Sequence, residues 1–253
     1  MQRYFDQMDF ILSDLFKKYA SFDIKPGVLL SGGIDSTTIT YFVSKYFKDF
    51  TILSMGTDKT KDRSYIDIVS LYLKHEYIWV EMNKDEVVEN YKEVKKLLEQ
   101  ALVPTSLMHM SLAMGYFLLF KKAKQLGITH IVTGQGPDIL LGGYHKYKSV
   151  TNINVEIKKD LPLLEIDKKR DGIVAKNFGI TLYNPYLEKE FVDFCLTIPQ
   201  KFKLQKGIEK YILREFSRKK GLPSKIVNRP KKAFQYSTGI QKLVLNVLKY
   251  THE

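Results

Sequence analysis

The sequence predicts an α/β fold in which a doubly wound parallel sheet is followed by a helical C-terminal region. Short apolar segments alternate with longer segments of helical periodicity between residues 4 and 133. Short polar turns join these segments, and such alternation is typical of a parallel sheet with helices on both faces. Two glycine-rich loops directly follow predicted strands. Both should therefore lie at the carboxyl edge of the sheet, where such folds bind ligands.

Four strands and five helices follow from the pattern in the first half of the chain. Apolar segments bounded by turn residues predict the strands, and apolar residues three or four positions apart predict the helices. Pro104 and Gly127 lie just beyond the ends of the last two helices. The predicted strands are 28–30, 51–55, 77–80 and 130–133. The predicted helices are 4–19, 35–47, 64–74, 84–101 and 106–126.

The pattern changes from about residue 150. Residues 151–172 show little periodicity, so no helix or strand is assigned to them. Two helices are predicted further on: 187–198, ended by Pro199, and 208–220, ended by Gly221.

The sequence shows no linker, internal repeat or low-complexity segment. We therefore expect one domain over residues 1–253. Residues 1–150 form its α/β core, and residues 151–253 form a mainly helical part that completes the functional site.

The composition predicts a folded, soluble protein of the cytoplasm. Hydrophobic residues make up 44% of the chain and charged residues 27%. The most apolar segment, residues 106–120, is shorter than the roughly 20 residues needed to cross a bilayer, so no membrane span is expected. The single cysteine, Cys195, cannot form an intrachain disulfide or a CxxC site, and its apolar surroundings favour a core thiol.

The formal net charge is +12 and the isoelectric point is about 9.4. Such an excess of positive charge favours anionic partners such as nucleotides, nucleic acids or acidic proteins. The basic clusters are short and dispersed along the chain, so we do not expect a nucleic-acid partner. The oligomeric state stays open, and a homo-oligomer is one option.

The stretch SGGIDS, residues 31–36, predicts an anion site at the end of the first strand. Gly32 and Gly33 allow a ligand to approach the backbone closely, and the following helix presents its positive N-terminal end. Ser31 and Ser36 add hydroxyl donors. Asp35 would repel a phosphate unless a divalent metal lies between them, so the stretch predicts a magnesium-bound phosphate chain. The alternative is a tight turn in which Asp35 only favours the helix dipole.

Five motifs resemble a known family. SGGIDS at the end of a strand resembles the PP-loop of the N-type ATP pyrophosphatases. TGQGPDILLGGY, residues 133–144, resembles the SGEGADELFGGY loop of the asparagine synthetase C-terminal domain, a family that includes β-lactam synthetases. Three later segments are similar to that domain in the same order: NPYLEKEFVDFCLTIP (184–199), GIEKYILREF (207–216) and RPKKAF (229–234). The resemblance implies a fold of the adenine nucleotide alpha hydrolase-like type and cleavage of ATP to AMP and pyrophosphate.

The resemblance also implies roles for individual residues. Ser31, Gly32, Gly33 and Ser36 match the loop that holds pyrophosphate, and Asp35 and Asp138 match the magnesium ligands. Lys231 matches the lysine that neutralises charge on the leaving pyrophosphate. Leu29, Met55 and Gly134 match family positions at which backbone groups hold the adenine and ribose.

Several of these residues have a structural alternative. Asp138 could instead cap a helix, and Lys231 could be a surface charge whose neighbour Lys232 confuses the register. Lys210 and Arg214, four apart on one helix, suit a structural role as well as ligand contact. The histidines show no metal-ligand spacing and are interpreted as structural: His75, His109, His130 and His145.

Two departures from the family pattern limit the expected chemistry. Gln135 stands where the family has a glutamate that helps the incoming amine to lose its proton, and glutamine cannot act as a base. Either another group takes that proton, or the nucleophile is not ammonia, or amidation is lost. The chain also shows no glutaminase domain, so we expect nitrogen from free ammonia or from a separate glutaminase subunit.

The sequence therefore favours an ATP- and Mg²⁺-dependent ligase that converts a small carboxylate into an acyl-adenylate for attack by an amine. Aspartate is one candidate acid. A PP-loop enzyme that adenylates a tRNA base is the first alternative, suggested by the net charge. A nucleotide-binding homologue without amidation activity is the second, suggested by Gln135.

Overall fold

The computed structural model describes residues 1–58, 60 and 62–250, and it confirms the predicted doubly wound parallel sheet. Our single-domain prediction also includes residues 59, 61 and 251–253, which lie outside the described residues. The five strands are all parallel and stand in the order β3-β2-β1-β4-β5. They are β1 (Gly27–Leu29), β2 (Thr51–Gly56), β3 (Tyr77–Glu81), β4 (His130–Val132) and β5 (Thr181–Tyr183). A separate antiparallel hairpin pairs β6 (Leu204–Gln205) with β7 (Ile208–Glu209).

Helices account for most of the remaining described residues. In the first half they are α1 (Gln2–Ala20), α2 (Ile34–Tyr46), α3 (Arg63–Leu73), α4 (Lys84–Gln100), α5 (Leu107–Gln125) and α6 (Pro137–Leu140). In the second half they are α7 (Ile153–Asn177), α8 (Lys189–Thr197), α9 (Gln200–Lys203), α10 (Tyr211–Lys219), α11 (Ser224–Val227), α12 (Phe234–Ser237) and α13 (Ile240–Tyr250). None of the helices in this described part combines the length and the hydropathy needed to cross a bilayer.

Two hydrophobic cores lie on opposite faces of the sheet. Successive strand residues point to opposite faces, so Ile52 belongs to the first core and Leu53 to the second. Helices α1, α2, α3, α8 and α10 contribute to the first core, whereas α4, α5 and α13 contribute to the second. This two-sided cover explains why the strands read as continuous apolar segments rather than as alternating ones.

Helix α7 is a correction to the sequence prediction, which assigned no helix to residues 151–172. Its N-terminal half buries Ile153 and Ile157 in the first core, and its C-terminal half buries Val174 and Ala175 in the second. A helix that changes its buried side along its length has no single apolar stripe, so its sequence lacks a helical period. Asn152 caps its first turn by accepting a hydrogen bond from the amide of Val155 (3.2 Å).

Three smaller differences also lie in the second half of the chain. Strand β5 was missed because it is an edge strand that is only partly buried and so lacks a continuous apolar segment, yet it pairs with β4 and extends the sheet. The predicted helix 187–198 begins as a 3₁₀ turn at Pro185–Leu187 before α8. The predicted helix 208–220 begins as β7, and Lys210 separates that strand from α10.

The order of the strands fixes where a ligand can bind. Chain order runs outward from β1 to β2 and β3, and then resumes on the other side of β1 with β4 and β5. The crevice between the carboxyl ends of β1 and β4 is therefore the point where the winding reverses, and such crevices bind ligands in open α/β sheets. The loops after β1 and β4 are the two glycine-rich loops of the sequence.

Lys203 supplies a test of the packing in the C-terminal region. Its side chain is fully buried, and its Nζ has no hydrogen-bond partner among the described residues. Burial lowers the pKa of Lys203 to about 8. In the unfolded chain this lysine has its ordinary pKa of ~10.5. Between pH 8 and pH ~10.5 the unfolded chain therefore binds more protons than the folded protein, so the contribution of Lys203 to the free energy of unfolding rises with pH in this range. Below pH 8 the buried, charged Lys203 lowers the free energy of unfolding by its full amount.

We therefore expect Lys203→Met to raise the free energy of unfolding at pH 7 by about 2–3 kcal/mol. The gain over the wild type should shrink as the pH rises from 8 to 10. Urea denaturation at several pH values measures both effects. Lys201→Met, an exposed position on the same short helix, is the control and should change little. A destabilised Lys203→Met protein at pH 7 would contradict the prediction.

Candidate active site

The loop after β1 is held open by its own hydroxyl groups and glycines. The Ser31 and Ser36 hydroxyls lie 3.0 Å apart, and the Ser36 hydroxyl donates to the Gly33 carbonyl (3.2 Å). Gly32 has φ +69°, and a Cβ there would lie 2.8 Å from the Tyr65 Cβ and 3.2 Å from the Ile66 amide nitrogen. Gly33 is the N-cap of α2. The loop therefore presents the first amides of a 13-residue helix to the crevice, as an anion site requires.

The loop after β4 packs backbone against backbone on the first loop. A Cβ on Gly134 would lie 2.8 Å from the amide nitrogen of Ser36 and 3.0 Å from the carbonyl carbon of Asp35. Only glycine allows this approach. The expectation that the two loops share one edge of the sheet therefore holds, and they form one wall of a single crevice.

Two carboxylates and two lysines meet in this crevice. Lys210 Nζ forms ion pairs with Asp35 and, at 2.6 Å, with Asp138 Oδ1. Lys231 Nζ lies 3.4 Å from Asp138 Oδ2 and 4.5 Å from the centre of the Tyr144 ring. Asp35 is in the first turn of α2 and Asp138 in the first turn of α6, so the two loops each contribute one carboxylate.

Burial and the lysines act in opposite directions on these carboxylates. Burial raises the pKa of Asp35 even though Lys210 favours its charged form. Burial also opposes ionisation of Asp138, but Lys210 and Lys231 outweigh it and lower the pKa of that carboxyl. Lys210 is itself desolvated, and the two carboxylates nonetheless raise its pKa. The cluster thus holds Lys210 as a buried cation between two acids.

The carboxylates fit a divalent cation only in part. Asp35 Oδ1 is buried and accepts no hydrogen bond from the described residues, and Asp35 lines the crevice, so this oxygen has no partner of its own there. The described residues hold no group of three or more acids, histidines or cysteines that could bind a metal. Mg²⁺ characteristically takes one or two protein carboxylates and completes its shell with phosphate oxygens and water. Asp35 and Asp138 suit that arrangement.

The structure distinguishes the alternatives left open for Asp138 and the basic residues. The N-cap of α6 is Gly136, and the Asp138 carboxylate contacts lysines instead of capping the helix. Lys231 is largely buried in the crevice, whereas Lys232 is exposed. Arg214 donates to backbone carbonyls, including that of Arg229 (3.0 Å), so it braces the loop that carries Lys231.

Arg229 joins that basic loop to the loop after β1. Its guanidinium donates to the Ser31 carbonyl (3.1 Å), pairs with the buried Asp62 and lies over the Tyr65 ring at 4.1 Å. Arg229 and Asp62 were not among the site residues predicted from the sequence. Their contact spans most of the chain length, so no local pattern could have revealed it.

A cavity of about 450 Å³ lies in front of the two loops. It is large enough for a nucleotide and a small second substrate. Of the predicted site residues, Gly32 is absent from the lining because it faces α3. The others all line it: Leu29, Ser31, Gly33, Asp35, Ser36, Met55, Gly134, Gln135, Asp138 and Lys231.

One end of the cavity is apolar and flat-sided. Tyr116 and Phe234 stack at 6.0 Å between ring centres, and Leu29 and Met55 line the sheet side. A Cβ on Gly115 would lie 2.5 Å from the Phe234 ring, so glycine permits the close packing of α5 against that ring. An apolar slot between a sheet edge and an aromatic ring suits a planar base.

Gln135 faces a network of charged residues at the other end. Its Nε2 donates to Asp167 Oδ2 (2.8 Å), and Asp167 Oδ1 accepts from Arg170 (2.5 Å). Arg170 is fully buried and also donates to Asp171 (2.7 Å). Burial raises the pKa of Asp171 to about 6, although Arg170 opposes the change. Burial, followed by Arg170, lowers the pKa of the adjacent His109, so this imidazole stays neutral at pH 7.

Asp167 and Arg170 are site residues that the sequence analysis missed. They lie three apart on α7, the helix that showed no periodicity. The spacing of an acid and an arginine on one helix face was the available signal, but it has meaning only once the segment is known to be helical. His109, interpreted as structural, contacts Arg170 at 3.5 Å and supports that network.

Comparison with known proteins places these features in a family. The asparagine synthase family model matches residues 10–179 and 165–252. A Methanocaldococcus jannaschii protein named as an asparagine synthetase (glutamine-hydrolyzing) 1 is 25% identical over 89% of this chain and 48% of its own length. The asparagine synthetase (glutamine-hydrolyzing) of Rattus norvegicus is 29% identical over 88% of this chain and 42% of its own length.

The chain therefore spans about half the length of the curated relatives that it matches. Among solved structures, an NMN synthetase from Francisella tularensis aligns with 97% of this chain and 93% of its own, at 14% identity and a TM-score of 0.36. That likeness is too distant to support an argument. The motifs, their order and the family match over nearly the whole chain agree, and the chain belongs to the asparagine synthase family.

Proposed function

We propose that this protein is an ATP-dependent, AMP-forming amide ligase. It activates a carboxylic acid as an acyl-adenylate, releases pyrophosphate and transfers the acyl group to ammonia or an amine. The observation that carries the proposal is the meeting of two glycine loops, two carboxylates and two lysines at the crevice where the sheet reverses its winding. That arrangement suits a magnesium-bound triphosphate beside an apolar slot for its base.

Each part of the crevice has a role in this proposal. The amides at the start of α2 and the hydroxyls of Ser31 and Ser36 bind the β- and γ-phosphates. Asp35 and Asp138 would hold Mg²⁺, which supplies charge neutralisation of the phosphates when bound. Lys231 donates to the bridging and terminal oxygens of the leaving pyrophosphate as negative charge builds there. Leu29, Met55 and Phe234 enclose the base.

The reaction is tested by its products. The protein is incubated with ATP, Mg²⁺ and a panel of carboxylic acids, and the nucleotides are separated by chromatography. We expect AMP and pyrophosphate, formed only when an acid is present. Formation of ADP and inorganic phosphate would reject the proposal, because it would show cleavage at a different phosphorus.

We further propose that Asp167 accepts the proton that the attacking amine loses. Gln135 cannot take it, but Gln135 donates to Asp167 and so fixes this carboxylate at the edge of the cavity. Arg170 holds its other oxygen. In this proposal a carboxylate on α7 takes the role that the family pattern gives to a glutamate at position 135.

Asp167→Asn should separate the two half-reactions. We expect amide formation to fall by about 10²–10⁴-fold, since a general base is lost, while acid-dependent AMP release changes only a few-fold. Mass spectrometry of the amide and chromatography of AMP measure the two rates. Glu165→Gln, an exposed position on the same helix, is the control. An equal loss of both rates would assign Asp167 a structural role.

Three further proposals concern the source of nitrogen, the cellular compartment and the oligomeric state of the protein. Free ammonia or a separate glutaminase subunit would supply the nitrogen, and assays with ammonium salts and with glutamine distinguish them. The buried, unpaired Cys195 agrees with a reducing compartment such as the cytoplasm. The oligomeric state stays open, with a homo-oligomer as one option, and light scattering tests it.

A further inference from the structure

Lys210 reaches the crevice from a backbone conformation that residues other than glycine rarely adopt. It separates β7 from α10 and has φ +53° and ψ 35°, in the left-handed region. A Cβ on Gly143 would lie 2.2 Å from Lys210 Cε and 2.5 Å from Asp138 Oδ1. Glycine at position 143 therefore leaves the space in which the lysine side chain reaches Asp138.

The ammonium of Lys210 is paired with the same carboxylates that would hold a metal. It donates to Asp35 Oδ2 and lies 2.6 Å from Asp138 Oδ1. Lys231 Nζ lies 3.4 Å from the other oxygen of Asp138, so three of the four carboxylate oxygens lie within 3.4 Å of a lysine Nζ. Mg²⁺ binds oxygen ligands at about 2.0–2.1 Å and needs near-ideal geometry. A metal that bridged the two acids would have to share their oxygens with a buried ammonium.

The charges around these carboxylates also give a free metal ion no net attraction. Asp35 and Asp138 are balanced by Lys210 and Lys231 before any ligand arrives. Over the whole cavity, seven basic side chains but only four acidic ones are found among the described residues of the lining. A divalent cation would thus lie a few ångströms from two ammonium groups, where the repulsion is strong because little water screens it. It would also have to give up water that Mg²⁺ releases reluctantly.

A triphosphate removes both obstacles at once. Its oxygens neutralise the added metal, and they complete the coordination shell that one or two carboxylates leave unfinished. They also give an ammonium a new charge-assisted partner, so Lys210 can release a carboxylate oxygen without being left unpaired. Asp35 Oδ1, which is buried and accepts no hydrogen bond from the described residues, is available to the metal from the start. The free crevice is therefore complementary to a metal–triphosphate complex and not to the metal alone.

We infer that Lys210 is an internal counter-ion that excludes divalent metal from the free crevice, so that Mg²⁺ binds only together with the triphosphate. The inference rests on the proposed function, because it concerns the metal and the nucleotide of the same site. Lys210 is thereby a positioning residue: it holds Asp35 and Asp138 together in the free protein and releases them to the metal when phosphate oxygens arrive. The coupling is reciprocal, so the metal raises the affinity for the nucleotide by the same factor.

Titration with Mn²⁺ in the absence of nucleotide tests this inference without any catalysis. Mn²⁺ prefers the same oxygen ligands as Mg²⁺, and the signal of the free ion in electron paramagnetic resonance reports how much is bound. We expect Lys210→Met to bind one Mn²⁺ at least about 100-fold more tightly than the wild type, because the repulsion from the ammonium is removed. A wild-type protein that binds Mn²⁺ alone as tightly as this variant would overturn the inference.

Two further variants separate the position of Lys210 from net charge and from folding. Lys231→Met removes the other ammonium, which contacts only Asp138, and it should raise the affinity for Mn²⁺ less than about 10-fold. An equal gain in Lys231→Met and Lys210→Met would overturn the inference, because net charge alone would then exclude the metal. Lys210→Gln removes the charge but keeps a donor for the carboxylates, so it should bind Mn²⁺ as Lys210→Met does. It replaces that variant if circular dichroism shows Lys210→Met to be unfolded.

A nucleotide should remove most of the difference between the wild type and Lys210→Met. Calorimetric titration uses the Mn²⁺ complex of an ATP analogue that carries a methylene between its α- and β-phosphates. We expect both proteins to bind this complex with affinities that differ by less than about 10-fold, since phosphate oxygens now accept the ammonium. A wild-type protein that does not bind the complex would overturn the inference.

Failure of the proposed function can be told apart from failure of this inference. If no acid supports AMP release, the ligase proposal fails, whereas the metal titrations still decide the inference. If the wild type binds Mn²⁺ alone and also forms AMP, the ligase proposal holds and the inference fails.

Discussion

Lys210→Met is expected to lower the free energy of unfolding at pH 7 by about 3 kcal/mol in the absence of divalent metal. Lys210 is 2% exposed and lies between Asp35 and Asp138. Methionine keeps an unbranched side chain of similar volume but removes its charge. The two carboxylates would then face each other in a desolvated crevice with only Lys231 nearby, so one of them would gain a proton or the two loops would separate.

Added Mg²⁺ should restore part of the lost stability in Lys210→Met. The metal would supply between Asp35 and Asp138 the positive charge that the ammonium supplied, and ligand binding to the folded state raises its stability. Urea denaturation with and without Mg²⁺ measures this. Lys25→Met removes an exposed ion pair and is the control, which should change the free energy of unfolding little. Failure of Mg²⁺ to stabilise the variant would argue against a metal site at these two carboxylates.

Lys231→Met is expected to lower the rate of acid-dependent AMP formation by about 10³-fold with little change in the melting temperature. Lys231 lies on the irregular segment between α11 and α12 and contacts one oxygen of Asp138 at 3.4 Å, so its contribution to the fold is small. Its proposed contribution is to the transition state, where charge accumulates on the departing pyrophosphate. The loss should appear mainly in kcat, because the ground-state triphosphate keeps the amides of α2 and the metal.

The neighbouring lysine provides the control for this result. Lys232 lies on the same loop but is exposed, and no described carboxylate pairs with it. Lys232→Met should change the rate only a few-fold. If Lys232→Met caused the larger loss, the register of the RPKKAF segment would be wrong by one residue. Pyrophosphate release by a coupled assay and thermal unfolding of both variants provide the measurements.

The glycine loops show how much of the site a sequence can predict. Gly32 and Gly134 lie just beyond the ends of two strands, and the loops that contain them carry the hydroxyls and carboxylates at nearby positions. Continuous apolar segments located four of the five strands of the sheet to within one residue at each end, whereas the partly exposed edge strand β5 was missed. The position of the crevice then followed from the parallel topology. Nearly all of the predicted site residues line the cavity.

The residues around Gln135 could not be found in the same way. Asp167 and Arg170 lie on α7, whose two halves pack into different cores, so their helical spacing was hidden. The pairing of Lys210 with both Asp35 and Asp138 joins residues up to 175 positions apart in the chain. Neither contact has a local pattern, because each depends on how the C-terminal helices pack against the sheet.

The sequence by itself determined the first four strands of the sheet, the two loops and the chemical groups that they carry. These properties depend on neighbouring residues, through backbone sterics at glycine and through burial of apolar segments. The tertiary structure alone decided which cations are already neutralised and which carboxylate faces Gln135. Charge interactions depend on distance and desolvation rather than on chain separation, so the ion pairs of Lys210 and the network around Gln135 exist only in the folded protein.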